Sequence, residues 1–521
     1  MKNGFLALAL LVLAASAALA KVTLPEFFSD NMVFQQAVAA TVRGKADPGE
    51  EVTVTLGDST ATATTADDGW WSVKLEPIGV GGPFEMTVAG QNTITVKNVM
   101  VGEVWFCGGQ SNMDFKVKDA LNAEKDIAAA NFPSLRLCFG RGGLAKEPLR
   151  EPRGKWAVCT PETVKDYSAV AYFFGRDLHQ NLNVPVGLIW VSCGWTPSEA
   201  WTSRAALAAD PEIKRDVLDK WDDLIASYPE RLAAYEKKLA EWKAAEAAAK
   251  EKDEKFDTPE PRKVGDPMFI HTATALYNGG IAPYTRFPIK GVIWYQGETN
   301  ADRGIQYRKL FPILINDWRK RWGQPEMPFL FVQIAALGPP QTQPDTNDRA
   351  ELREAQMMAL KLPKTGMAVT IDIGDEKDEH PKNKQDVGAR LALAARAIAY
   401  GQKIVYSGPI YDSMKIEGDK VRISFKHVGG GLVAKGGELK GFSIAGEDRK
   451  FVWGDARIDG DTVVVSSAKV PTPVAVRYGW AINPVISLYN KEGLPASPFR
   501  TDDWPGVTTG KTLLWYEMYA K

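Results

Sequence analysis

Histidine and cysteine are scarce in this chain, with four of each among 521 residues. That scarcity narrows the chemistry. The cysteines, Cys107, Cys138, Cys159 and Cys193, are too few for a disulfide framework in a chain of this length, and their spacing assigns no pairing. There is no Cys-x-x-Cys and no histidine cluster, so neither a metal nor a cofactor is expected. An excess of one charge is also missing. The net charge is −1, and no long basic run occurs, which argues against nucleic acid as a partner. Beyond residue 20 no apolar run is long enough to cross a bilayer, so no membrane partner is expected there.

What is present begins with a leader. Residues 1–20 read MKNGFLALALLVLAASAALA: a lysine, an apolar run and a small-residue Ala-Leu-Ala end. That pattern predicts a signal peptide and an exported protein, periplasmic or secreted, with a mature chain starting near Lys21. Apolar residues make up 45% of the chain, enough for packed cores, and the length allows more than one domain.

Residues 21–98 alternate polar and apolar positions in short runs broken by Gly, Asp and Pro, as in EVTVTLGDSTATATT. This predicts an N-terminal β-sandwich-like domain. Residues 402–521 read similarly and predict a second β-rich domain. Between them, residues 99–401 carry five apolar runs: Glu103–Cys107, Val186–Ser192, Gly291–Tyr295, Phe329–Ile334 and Ala368–Ile373. Amphipathic stretches such as AVAYFFGRDLHQNL and IQYRKLFPILINDWRKRW alternate with them. The expectation is an α/β domain with a parallel five-stranded sheet. An Ala-, Lys- and Glu-rich segment, 210–262, interrupts the pattern and reads as a solvent-exposed helical insert.

In open α/β sheets, ligands bind beyond the carboxyl ends of the strands. Four of the five runs end there in glycine and polar groups. The first ends in Gly108-Gly109-Gln110-Ser111-Asn112, and the second in Ser192-Cys193-Gly194-Trp195. The third ends in Gln296-Gly297-Glu298-Thr299-Asn300, and the fifth leads to Asp372, Asp375, Asp378 and His380. Ser111, at a strand-to-helix turn, is the candidate nucleophile, and a serine hydroxyl needs a base. His179 reads as helical, His427 lies in the C-terminal β-rich region, and His271 is expected away from the rim. That leaves His380 as the base. Pro381 biases His380 toward an extended conformation, in which Asp378 shares its face. Asp378 is therefore the candidate orienting carboxylate and Asp375 its rival. Oxyanion donors are expected from the Ser111 and Gly194 amides and the Asn300 side chain. Gln110, Trp195, Gln296 and Glu298 are candidates for holding the substrate. Sixteen tryptophans are enough to fill cores and also to stack on sugar faces.

The motifs GGQSNM, WYQGETN and DEHPKNKQDVGARLALAA resemble those of the sialate O-acetylesterase-like branch of the SGNH hydrolases. The likeness extends over nearly all of the mature chain, from LPEFFSDNMVFQQ to NKEGLPASPFRTD. It implies a flavodoxin-like sheet of order 2-1-3-4-5 and a serine esterase that removes O-acetyl groups from carbohydrates, whether sialic acid or a plant polysaccharide such as xylan or xyloglucan. By motif, Ser111 corresponds to the nucleophile, His380 to the base, and Gly194 and Asn300 to the oxyanion partners. Many SGNH enzymes have an Asp three residues before the His; here Lys377 stands there, and Asp378 stands two before. Gln110 occupies a position that related lipases fill with Asp.

Two other classes compete. A glycoside hydrolase would pair Glu298 with Asp375, Asp378 or Glu379, which leaves Ser111, Gly194 and Asn300 without a shared role. A non-catalytic glycan-binding protein has no need of Ser and His on one rim.

Overall fold

The computed structural model describes residues 21–512. The expected signal peptide and the end of the C-terminal β-rich region lie outside the described residues. Seven strands carry the site: β1 (Thr93–Gly109), β2 (Phe132–Gly140), β3 (Gly154–Cys159), β4 (Val186–Ser192), β5 (Gly291–Tyr295), β6 (Phe329–Gln333) and β7 (Thr365–Val369). They lie in the order β7-β6-β5-β1-β4-β2-β3. All neighbours are parallel except β3, which runs antiparallel to β2 at the edge.

The sheet is therefore mixed and larger than the five parallel strands expected. The five expected runs are all present, and β2 and β3 extend the sheet beyond β4. β2 escaped the sequence reading because a charge interrupts it, at Arg136 between Leu135 and Leu137. That guanidinium is buried and donates to the carbonyls of Pro133, Asn31 and Asn98, which makes a charge tolerable in a core strand. The fifth run also differs. The strand ends at Val369, and Ile371–Ile373 form a single 3₁₀ turn.

Successive side chains on these strands face opposite ways. Val104, Phe106, Val292, Trp294 and Phe331 enter one core, and Trp105, Cys107, Ile293, Tyr295 and Val332 enter the other. The first core is closed by helices α2 (Gly304–Trp322) and α3 (Asp348–Met358), the second by α1 (Ala169–Leu182) and α4 (Lys384–Ile398). The helices read as the sequence suggests. Ser168 caps α1 by accepting from the Ala171 amide at 3.2 Å, and Asn183 stops it in the left-handed region.

β1 is long because it serves two sheets. Residues from Thr93 to Val101 pair with the N-terminal strand Gly81–Ala89, and residues from Glu103 to Gly109 pair with β4 and β5. The N-terminal β region shares the first core, so it is continuous with the α/β sheet. The C-terminal region folds as small antiparallel sheets around a separate core that includes Ile423, Phe442 and Phe499. In the insert, Tyr228–Glu251 is a 24-residue helix with no buried side chain. The stretch before it is not solvated: Ile213, Val217, Trp221 and Leu224 form a small core with Leu207 and Leu310. None of the described helices is long and apolar enough to cross a membrane.

The four cysteines are free thiols, three buried and Cys193 half-buried. Burial pushes the Cys159 thiol up to about 12, so it is inert as a nucleophile.

The end of β6, which the sequence leaves without polar groups, is covered by protein. Arg353 is buried there and donates to the carbonyls of Ile334 and Ala335 and, across the boundary, to those of Ala481 and Ile482. Burial pulls this guanidinium down to about 9. Arg353→Ala will remove a donor from four carbonyls, of which that of Ile482 keeps only the Leu337 amide at 3.3 Å, and lower the unfolding free energy by at least about 3 kcal/mol, measured by chemical denaturation.

Candidate active site

The turn that presents Ser111 is built by close backbone contact. Gly109 has φ 151°, and a Cβ there would stand 2.1 Å from the Tyr295 carbonyl oxygen. Only glycine lets β1 approach β5 so closely, and the next amide, Gln110 N, donates to that carbonyl at 2.9 Å. The chain then reverses into one helical turn, Ser111–Asp114. Cys193 N donates to Gly109 O at 3.1 Å, which brings the β4 loop alongside. A Cβ on Gly194 would lie 3.5 Å from Ser111 Cβ, so the bare side of Gly194 faces Ser111.

The segment after β7 carries His380. Asp378 Oδ1 lies 2.9 Å from His380 Nδ1 and also accepts from the His380 amide at 2.8 Å. Asp375 does different work. Its Oδ1 accepts from the Lys377 and Asp378 amides at 2.8 and 3.2 Å and shapes the loop. Burial raises the Asp378 carboxyl, but the bonds from the His380 amide and ring outweigh it and leave the group below the ordinary carboxylate range. His380 Nε2 is buried and has no hydrogen-bond partner among the described residues.

Asn112 joins these two segments. Its Nδ2 donates to the Glu379 carbonyl at 2.9 Å, so a bond connects the residue after Ser111 to the residue before His380. The same Nδ2 donates to Glu298 Oε1 at 2.7 Å, and Oδ1 accepts from Lys384 Nζ at 2.5 Å. Asn112 and Lys384 are fully buried. The Lys384 ammonium also sits 4.7 Å over the Phe115 ring and 5.5 Å over the Tyr295 ring. Burial pulls the Lys384 amine down to about 7 and raises the Glu298 carboxyl. Neither Asn112 nor Lys384 was singled out from sequence. One signal was available: Lys384 opens α4, where the helix dipole disfavours a cation.

Asn300 is also fully buried. Its Oδ1 accepts from Ser198 N at 2.9 Å and Gln296 Nε2 at 2.7 Å, and its Nδ2 donates to Glu199 Oε2 at 3.0 Å. Those bonds fix the amide's orientation and use one of its two N–H groups. Glu199 is paired in turn with buried Arg303 at 3.0 Å.

The four residues expected to hold substrate fall in different places. Gln296 is buried and bonds to Thr196 O, Asn300 and the Tyr307 hydroxyl, so it braces the β4 and β5 loops. Glu298 is held by Asn112, and Gln110 Oε1 accepts from Gly297 N and Thr299 Oγ1, both at 3.4 Å. Gln110 and Gln296 are buried, whereas Glu298 is half-buried and its Oε2 has no hydrogen-bond partner among the described residues. Trp195 alone is open, at 52% exposure beside Gly194. His271, expected away from the rim, has Nε2 2.6 Å from the Trp195 carbonyl and supports that loop. The carboxylates of the glycoside hydrolase alternative are likewise engaged: Glu298 with Asn112, Asp375 with loop amides, Asp378 with His380 and Glu379 with Arg349.

The buried lysine gives a test of this network. An unfolded lysine titrates near about 10.4, whereas Lys384 in the fold titrates at about 7. Between those values the unfolded chain binds more protons, so this group makes folding more favourable as pH rises from about 7 to about 10. The unfolding free energy of the wild type minus that of Lys384→Met will therefore increase over that range. Parallel stability curves would contradict the assignment.

A family model for "Carbohydrate esterase, sialic acid-specific acetylesterase" matches residues 270–397. Among curated proteins, the sialate O-acetylesterases of Homo sapiens and Mus musculus are each 30% identical, over 92% and 91% of this chain and 93% of their own lengths. A crystal structure of a carbohydrate acetylesterase from Xanthomonas citri superposes with a TM-score of 0.79 at 35% identity, covering 93% of this chain and all of that one. With 30% identity extending over more than nine-tenths of both chains, the chain belongs to the sialate O-acetylesterase family of carbohydrate esterases.

Proposed function

We propose that the protein is a serine esterase that removes O-acetyl groups from carbohydrates through an acetyl-enzyme on Ser111. Membership of the family supports the reaction class. The observation that carries the mechanism is the Asp378–His380 pair, tied to the Ser111 turn by the Asn112–Glu379 bond, with His380 Nε2 left buried and unpartnered among the described residues. In this reading the catalytic domain is of the flavodoxin-like SGNH type. The run order 2-1-3-4-5 within the larger sheet supports it.

Ser111 Oγ attacks the acetyl carbonyl carbon while His380 Nε2 takes its proton. His380 Nδ1–H donates to Asp378, which holds the tautomer and stabilises the imidazolium. The oxyanion receives hydrogen bonds from the Ser111 and Gly194 amides and the second N–H of Asn300, whose orientation is fixed before substrate arrives. The sugar oxygen leaves with the proton from His380. Water then repeats the sequence, with His380 as base, and acetate departs. Trp195 offers an open indole face for the sugar beside Gly194. The leader pattern of residues 1–20 supports action outside the cytoplasm.

The test uses one acetyl ester and three variants. Ser111→Ala will fold and lose at least about 10³-fold in kcat. Asp378→Asn will lose up to about 10⁴-fold, the size seen for an orienting carboxylate in serine proteases. Asp375→Asn will stay near normal, because an asparagine oxygen still accepts from the Lys377 and Asp378 amides. A folded, active Ser111→Ala would overturn the mechanism, and the reverse ranking of the two aspartates would reassign the orienting group.

A further inference from the structure

A second concave site lies away from the Ser111 turn. It is a cavity of about 680 Å³, within the range of small-ligand sites. Its lining includes six cationic side chains, Arg43, Lys146, Arg150, Arg204, Arg286 and Arg321, and a single acidic one, Glu147. Three of the cations are neutralised. Arg150 pairs with Asp68 at 2.6 Å, Arg204 with Asp222 at 2.9 Å and Arg321 with Asp317 at 3.2 Å. Arg43, Lys146 and Arg286 have no carboxylate at ion-pairing distance among the described residues. Arg43 is buried, and its bond is to the Pro283 carbonyl. Burial pulls its guanidinium down to about 10, with Arg286 and Arg150 adding to the effect. Like charges held together in a concave wall are unfavourable until an anion enters. The chain as a whole carries a net charge of only −1, so the concentration of positive charge is local.

The cavity shares two segments with the rim. Ser203 and Arg204 follow Gly194 and Trp195 on the loop after β4. Thr274 follows His271, which bonds to the Trp195 carbonyl, and the Thr274 amide donates to the carbonyl of Glu199 at 3.0 Å. The two places are thus braced by common segments, although residues 196–203, between Trp195 and Arg204, are themselves buried.

We infer that this cavity is a secondary binding site for an oligosaccharide segment bearing several carboxylates, such as a polyuronate, which anchors an acetylated acidic polysaccharide while one of its sugars is presented to Ser111. The choice of a glycan rests on the esterase reading; the choice of an anionic one rests on the three unpaired cations. Guanidinium groups suit sugar carboxylates because they donate in a planar fork.

The test is calorimetric titration of the intact protein with trigalacturonic acid and, as the neutral comparator, xylotriose. Wild type will bind trigalacturonic acid, more weakly as salt is raised. Arg286→Gln combined with Lys146→Gln, two exposed positions outside the catalytic residues, will weaken that binding about tenfold. The double variant will keep wild-type turnover of a small aryl acetate and show a raised KM on acetylated pectin but not on acetylated xylan. No binding of trigalacturonic acid, equal binding in the double variant, or equally tight binding of xylotriose would each overturn the inference. If the wild type fails to hydrolyse the aryl acetate, the esterase mechanism falls while the titration still decides the cavity.

Discussion

The site depends on one buried side chain, Asn112. Its amide touches three segments that are remote in sequence: Glu298 after β5, Glu379 before His380, and Lys384 at the start of α4. Ser111 is its neighbour in the chain. Remove the amide, and nothing else described bonds the Ser111 turn directly to the His380 segment at this point. An asparagine suits the task because it offers donors and acceptors at once. One oxygen takes the lysine, and one NH₂ serves both a carboxylate and a carbonyl. The cost is a buried lysine and a half-buried glutamate, whose charged forms are both disfavoured by burial. Such violations of ordinary core composition are expected where a fold must hold reactive groups in register.

A second network does comparable work on the other side of Ser111. Asn300, Gln296, Glu199 and Arg303 lock the loops after β4 and β5 together beneath the turn. Asn300 is thus fixed by bonds made before any substrate binds, as its proposed part in stabilising a developing oxyanion requires. Gly109 completes the arrangement by letting β1 and β5 approach at the point where the chain must turn.

Much of this was legible in the sequence, for physical reasons. Continuous apolar runs marked the central strands, and glycine with polar residues at their ends marked the rim. The sequence reading of an extended stretch pairs Asp378 with His380; the 2.9 Å contact is present, but the chain bends at Glu379 and His380, and Asp378 Oδ1 also accepts from the His380 amide. What was missed shares a cause. Polar and charged residues read from sequence as solvated or ligand-facing, whereas here several are internal. Arg136 hides β2, Lys384 reads as an ordinary residue of a helix start, and the bonds that Gln296 and Glu298 make to Thr196 and Asn112 do not show in the sequence. Satisfied hydrogen bonds make such burial possible, and those bonds come from segments too distant in sequence for periodicity to reveal.

The most direct measurement is the rate at which an organophosphonate ester labels the folded protein, with the modified residue located by mass spectrometry. The central claim is that Ser111 is activated by His380 and that Asn112 holds the two together. Labelling should occur on Ser111 in the wild type, and Asn112→Ala, with its fold verified, should label the same residue about 10²-fold more slowly. Labelling at another residue, or an unchanged rate in Asn112→Ala, would contradict the account.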